Sequence, residues 1–310
     1  MRPALSVIFF TVLSGAGLGL FALLVLVQIA SAQSALSPTM HLWAGAMALV
    51  LVAAGLMSST LHLANPKNVW RAVTRVRTSW LSREGVLALI FFPVAFAWLA
   101  AGYFGVSAGL QTTAGIAALL LAWATLFSTG MIYACLKTIP RWNNRLVPAA
   151  YMANGHLSGA LILLALAAAD RKPTGLYVVL VLVFLVLAAA VKGAYFRKFR
   201  PAATGAHSLS AAVGMTAASA KLLDAGHTHG TFLTEEFVFR LGRERANQLR
   251  LMFVALSLCL PALVVGFGMR MPAVLAVAAV ACLAGLVIER WLFFAEAQHV
   301  VRLFHGQRTV

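Results

Sequence analysis

Residues 5–30 read LSVIFFTVLSGAGLGLFALLVLVQIA, without one Asp, Glu, Lys or Arg. A helix needs about 20 such residues to cross the hydrocarbon core of a bilayer, and this run is longer. Arg2 in front and Ala30-Ser31-Ala32 behind give it the look of a signal peptide. Its apolar stretch, however, far exceeds the roughly 7–15 residues of a signal core, so it reads as a retained first span. Further runs of the same kind lie at roughly 41–61, 85–104, 112–135, 148–169, 174–193, 251–269 and 272–294. These long unbroken runs lack the alternation of barrel strands. Backbone groups in lipid must be satisfied within the segment, so the runs are helices. The expected fold is an all-α integral membrane protein, a bundle of about eight transmembrane helices.

The composition of the 310-residue chain agrees: 62% is hydrophobic, 10% is charged, and the mean hydropathy is +0.90. Soluble domains carry about 25% charged residues, so a water-soluble enzyme, a disordered chain and a coiled coil are all excluded. No repeat, low-complexity linker or soluble domain stands out, and residues 1–310 read as a single membrane domain.

The formal charge of +16, from 24 Lys and Arg against 8 Asp and Glu, would suggest nucleic acid in a soluble protein. Here the basic residues fall between apolar runs and report topology instead. Arg2, the 62–84 loop (Lys67, Arg71, Arg75, Arg77, Arg83), the 136–147 loop (Lys137, Arg141, Arg145), the 194–250 segment and the C-terminal tail share one side. The opposite loops offer only Asp170, Arg171, Lys172 and Arg270. The bias predicts that both termini and the basic loops are cytoplasmic. Residues 202–223, with His207 and Lys221, are too polar for an ordinary span and read as interfacial, with an extra helix as the alternative.

Ionisable groups inside spans are functional candidates by default, and mid-membrane charge looks nearly absent. His156 reads as a packing histidine, His41 as interfacial, and Glu289 and Arg290 as a mutual pair near the cytoplasmic boundary. Cys135, Cys259 and Cys282 form no CxxC or CxxCH, so no iron–sulfur cluster, c-type haem or zinc ribbon is expected in this chain. They read as small core hydrophobes.

The chemistry concentrates in the loop after the second span. It runs Leu61-His62-Leu63-Ala64-Asn65-Pro66-Lys67-Asn68-Val69-Trp70-Arg71 and continues through Arg75 and Arg77 to Trp80-Leu81-Ser82-Arg83-Glu84-Gly85. Pro66 stops the helix. Ser82 is expected to cap the next helix, with Glu84 complementing its positive end. Trp70 and Trp80 suit the headgroup layer. Such a set matches a quinone, whose apolar tail stays in lipid while two protons exchange with water. His62 would donate to a quinone oxygen and exchange a proton. Glu84 would accept or relay one. Arg77 or Arg83 would stabilise developing negative charge or hold the carboxylate ionised. The plainer reading is that His62 and Glu84 only terminate helices and the arginines only set topology.

Two motifs carry a resemblance. Ser6-Val7-Ile8-Phe9-Phe10-Thr11-Val12-Leu13-Ser14-Gly15-Ala16-Gly17-Leu18-Gly19-Leu20 resembles the first helix of the membrane-anchor subunit of dimethyl sulfoxide reductase-type complexes. His62-Leu63-Ala64-Asn65-Pro66 followed by Ser79-Trp80-Leu81-Ser82-Arg83-Glu84 is similar to that family's signature between helices two and three. The resemblance implies an eight-helix, haem-free anchor in the bacterial cytoplasmic membrane. Such an anchor holds a molybdopterin catalytic subunit and a four-cluster iron–sulfur subunit, and exchanges electrons with ubiquinone or menaquinone. It implies His62 and Glu84 as quinone-site residues, with Arg77, Trp80 and Arg83 around the headgroup. It also implies sulfur metabolism, as a sulfite dehydrogenase-like or a sulfoxide reductase-like complex, with the basic face tilting toward the former. Independently, Gly15 and Gly19 form a small-xxx-small face for close helix approach. A bis-histidine haem would have only His62 and His156 to use.

Residues Leu223–Phe237, with His227, His229, Glu235 and Glu236, form a second polar concentration. The pliant glycines Gly226 and Gly230 argue against a metal site. Thr234-Glu235-Glu236 before Phe237, Phe239 and Leu241 reads as a capped amphipathic helix, a docking ledge for a cytoplasmic subunit or else a headgroup-layer helix. Two other functions compete with the electron-transfer anchor. One is a secondary transporter using Pro93 and Pro261 to break helices. The other is a purely structural anchor.

Overall fold

The computed structural model describes residues 3–31, 35–60, 66–199, 209–215, 220 and 245–305. Among them are eight helices long and apolar enough to cross a membrane. They are α1 (Leu5–Ala30), α2 (Pro38–Thr60), α3 (Trp80–Tyr103), α4 (Ala108–Ala134), α5 (Leu146–Ala169), α6 (Gly175–Lys198), α7 (Ala246–Gly266) and α8 (Pro272–Ala295). A 3-10 helix, Pro66–Arg75, links α2 to α3. A one-turn helix, Leu209–Ala212, lies between α6 and α7. Of the expected polar elements, His62, residues 202–208 and the Leu223–Phe237 ledge lie outside the described residues.

α1 is the hub. It packs against α2, α4, α5 and α8, while α3 packs on α4, α6 on α5, and α7 on α8. In its most apolar window 89% of residues are buried, against 22% for α6, so α1 is a protein-enclosed core helix and α6 a lipid-facing one. Lipid supplies no hydrophobic drive between spans, so close backbone approach must hold them together. A Cβ added to Gly19 would collide with the Gly155 carbonyl, and one added to Gly159 would collide with the backbone at Leu20. Gly15-xxx-Gly19 of α1 thus meets Gly155-xxx-Gly159 of α5 backbone to backbone. Gly17 makes the same kind of approach to α2, where a Cβ would meet the Ala48 carbonyl oxygen at 2.6 Å.

The two prolines expected to break spans behave differently. α3 continues through Pro93 as an α-helix. In α7, by contrast, Val254–Cys259 widens into a π-helix just before Pro261. Ser257 at its centre donates to the Cys282 carbonyl of α8 at 2.9 Å. Cys282 is buried as expected, whereas Cys135 and Cys259 lie exposed on the bundle surface.

Consecutive spans alternate in direction, so the basic connections gather on one face. On the other, Asp170 accepts from the Ser37 amide and the Ser37 hydroxyl, both at 2.6 Å, tying the start of α2 to the end of α5. His41, in the first turn of α2, is turned inward and packs edge-on against Trp98 at 4.7 Å. His156 is a satisfied packing histidine. Trp123 donates to its Nε2 at 2.9 Å, Nδ1 lies 2.8 Å from the Met152 carbonyl, and the ring stacks on Phe184.

Candidate functional site

The loop entering α3 builds the site from its cap inward. The helix begins at Trp80, earlier than the hydrophobic run suggests, and its cap is Ser79, not Ser82: the Ser79 hydroxyl accepts the Ser82 N–H at 3.3 Å. Any of three serine or threonine positions here can cap, and apolarity alone places the start too late because Trp80 to Glu84 include an Arg and a Glu. Glu84 consequently sits in the second turn rather than at the helix end.

Arg83 closes the loop onto the helix. Its Nε donates to the Val76 carbonyl at 2.9 Å and its Nη2 to the Arg77 carbonyl at 2.8 Å. The guanidinium lies 4.2 Å above the Trp80 ring. Trp80 in turn meets Phe127 of α4 edge-on at 6.0 Å. Arg77 is exposed, in a turn whose residues Thr74–Thr78 line an open hollow of about 380 Å3. Neither guanidinium reaches Glu84 as an ion-pair partner.

Glu84 is turned into the bundle and is 2% exposed. Its partner is the Thr129 hydroxyl of α4, which donates to Oε1. Among the described residues it has no cation within ion-pair distance. Its depth follows from position: four residues past Trp80, about 6 Å inside the helix end at roughly 1.5 Å per residue.

At the same depth on the far side of the bundle stands a charge cluster that the hydropathy pattern hides. Lys192 of α6 bonds Glu289 Oε1 at 2.5 Å, and Arg290 Nε approaches Glu289 Oε2 at 2.9 Å. All three are buried. Glu289 and Arg290 pair as expected, about 9 Å inside the basic-face end of α8. The expected pair thus gains Lys192 as a third charged member. The signal was legible as a lone lysine, Lys192, inside the apolar run expected at 174–193. Beyond the cluster, at the basic surface, Glu296 bridges Arg141 at 3.2 Å and Arg250 at 2.5 Å. That bridge joins the α4–α5 loop, α7 and α8.

Between the two carboxyls lies an aromatic layer. Tyr133, four residues along α4 from Thr129, stacks on Tyr151 of α5 at 5.8 Å, and Tyr151 carries the Arg290 guanidinium 3.8 Å above its ring. Trp142 stacks on Phe293 at 5.5 Å and donates to its carbonyl. This layer seals the basic end of the bundle.

The relatives of this sequence fit such an architecture. A sulfite dehydrogenase subunit of Allochromatium vinosum is 31% identical over 322 aligned positions, covering 98% of this protein and 99% of that one. A polypeptide of the anaerobic dimethyl sulfoxide reductase of Escherichia coli is 30% identical over 125 residues, 39% of this protein and 44% of that one. Both are components of multi-subunit complexes. The family described as "DMSO reductase anchor subunit (DmsC)" matches residues 1–295. The protein is a multi-pass membrane protein and belongs to the dimethyl sulfoxide reductase anchor-subunit family.

Proposed function

We propose that this protein is the quinone-reactive anchor of a molybdopterin and iron–sulfur oxidoreductase of the sulfite dehydrogenase type. It holds a four-cluster iron–sulfur subunit and a molybdopterin subunit at its basic face, on the cytoplasmic side of a bacterial inner membrane. Electrons pass from that face to ubiquinone or menaquinone. The similarity over nearly the full length of both proteins to a sulfite dehydrogenase subunit favours this direction over sulfoxide reduction.

The observation that carries the reading is Glu84. A carboxyl buried in a span is costly and has to be explained. An ionic lock would explain it, but its described partner is a hydroxyl. A carboxyl so held is suited to giving and taking a proton. The surrounding donor set fits a quinone headgroup. Trp80 and the half-exposed Phe127 offer aromatic edges toward lipid for ring and tail. Arg83 also holds the Val76 and Arg77 carbonyls of the turn that precedes this helix, and that turn lines an open hollow. A quinone bound there would accept two electrons and two protons. Arg83 fixes the loop, Trp80 positions the ring and Glu84 supplies a proton. His62, outside the described residues, would serve the opposite carbonyl.

The test is turnover of the assembled complex with a quinone, against turnover with a soluble redox dye served directly by the catalytic subunit. Glu84→Gln should cut the first and spare the second. Equal quinone-coupled rates in Glu84→Gln and the unaltered complex would remove Glu84 from the mechanism.

A further inference from the structure

The crossing of α1 and α5 carries more than glycines. Asn154, beside Gly155, is 4% exposed, and neither its Oδ1 nor its Nδ2 has a hydrogen-bond partner among the described residues. A primary amide brings two N–H donors and a carbonyl acceptor, so burial leaves much to be matched. Buried polar groups of native proteins are matched by protein or by ordered water. Inside the hydrocarbon layer no bulk solvent replaces either.

Asn154 lines a small cavity between α1, α5 and α8. Thr11 borders it from α1, Tyr151 and Ser158 from α5, and Arg290 from α8. Its free volume is about 10 Å3, close to the space one water needs and too little for a larger ligand. The hydroxyl protons around it are already engaged. Thr11 donates to the Ile8 carbonyl at 3.0 Å, and Ser158 donates to the Asn154 and Gly155 carbonyls, both at 3.0 Å. The Tyr151 hydroxyl interacts with Arg290 and Tyr133. The amide of Asn154 is left to be met by a donor and an acceptor at once, and a water molecule is both.

We infer that the cavity is a binding site for one ordered water, which ties α5 to α1 and α8. The water accepts from Nδ2 of Asn154 and donates to Oδ1. Its second proton goes to the hydroxyl oxygen of Thr11, which has lone pairs to spare. Its remaining lone pair is turned toward Arg290. That orientation has a use, because the buried cluster sets two cations, Lys192 and Arg290, against the one carboxylate of Glu289. A neutral dipole offsets part of the excess charge without adding a group that titrates. An anion does not suit the site, since Oδ1 faces it, and a metal ion would meet the guanidinium. In lipid, apolar surface gives helices no drive to associate, whereas interhelical hydrogen bonds do. The water bridge therefore adds to the hold that the glycine crossing already gives α1 on α5. This inference is independent of the quinone reading of Glu84.

The direct test is a density map of the assembled complex sharp enough to show ordered water. One solvent peak is expected within about 2.7–3.2 Å of the Asn154 amide atoms and of Thr11 Oγ1. A map with no peak there, or with the amide bonded straight to Thr11 or Arg290, overturns the proposal. Thermal unfolding of the complex in detergent gives an independent reading. Asn154→Leu keeps the shape of the side chain and removes the amide. Where water bonds the amide to other helices, this variant unfolds about 2–4 °C lower. An amide left dry is a standing cost, and its removal raises the unfolding temperature. An equal or higher value in Asn154→Leu thus overturns the bridge. Thr11→Val, also nearly isosteric, removes the partner on α1. Both residues hold the same water, so the double variant should lose little more than Asn154→Leu alone. Losses that add in full put the two residues in separate interactions and overturn the tie to α1. Where Asn154→Leu fails to assemble, the map of the unaltered complex and of Thr11→Val decides, the peak staying in the first and weakening in the second.

Discussion

Glu84 and Glu289 are two carboxyls at similar depth in one bundle, and they are held in opposite ways. Glu289 sits between Lys192 and Arg290, each within ion-pair distance. Glu84 faces a threonine hydroxyl. The first arrangement fixes charge, since removing any member strands another in low dielectric. The second fixes geometry but leaves the proton free to come and go. The two carboxyls lie at similar depth in the bundle, one between two cations and the other against a hydroxyl.

The comparison can be broken by substitution. Glu289→Gln strands two buried cations and should destabilise the folded protein by about 3–5 kcal/mol. Thermal unfolding in detergent would register it, and the Lys192→Met/Glu289→Gln double variant should regain part of the loss. Glu84→Gln should do the reverse, cutting quinone-coupled turnover about a hundredfold while unfolding moves by less than about 1 kcal/mol. If Glu84→Gln proved as destabilising as Glu289→Gln, both carboxyls would be structural. Thr129→Val removes the hydroxyl that satisfies Glu84 and should cost about 1–3 kcal/mol, with a fall in turnover alongside. Arg83→Lys keeps the charge but loses the fork onto the Val76 and Arg77 carbonyls and the stack on Trp80. An effect of about 0.5–1 kcal/mol is expected, measured as earlier proteolysis of the 66–79 loop, with a modest fall in quinone-coupled turnover because the same fork fixes the loop beside Trp80.

Much of the bundle was legible in the residues themselves. The eight spans follow from apolar run length, because the bilayer sets a fixed span and forbids unpaired backbone. The errors fall where a span carries a polar residue. α3 starts at Trp80 because Ser79 caps it, and α6 runs five residues past the expected end, with Arg197 and Lys198 in its last turn where basic side chains suit the helix end. Hydropathy penalises such residues one at a time and cannot see a partner 97 positions away. In the candidate site, the loop chemistry from Arg77 to Glu84 stood out from its spacing. Thr129, Tyr133 and Tyr151 did not, since a threonine and two tyrosines in apolar runs carry no local signal.

Sequence alone determined the number of spans, the basic side and the close-packing faces of Gly15 and Gly19, all of them consequences of local composition acting against a uniform solvent. Only the tertiary structure decided that α1 is the enclosed hub, that Glu84 turns toward Thr129, and that Glu289 gathers two cations. Those outcomes depend on which helix faces which, and that is settled by contacts between residues far apart in the sequence.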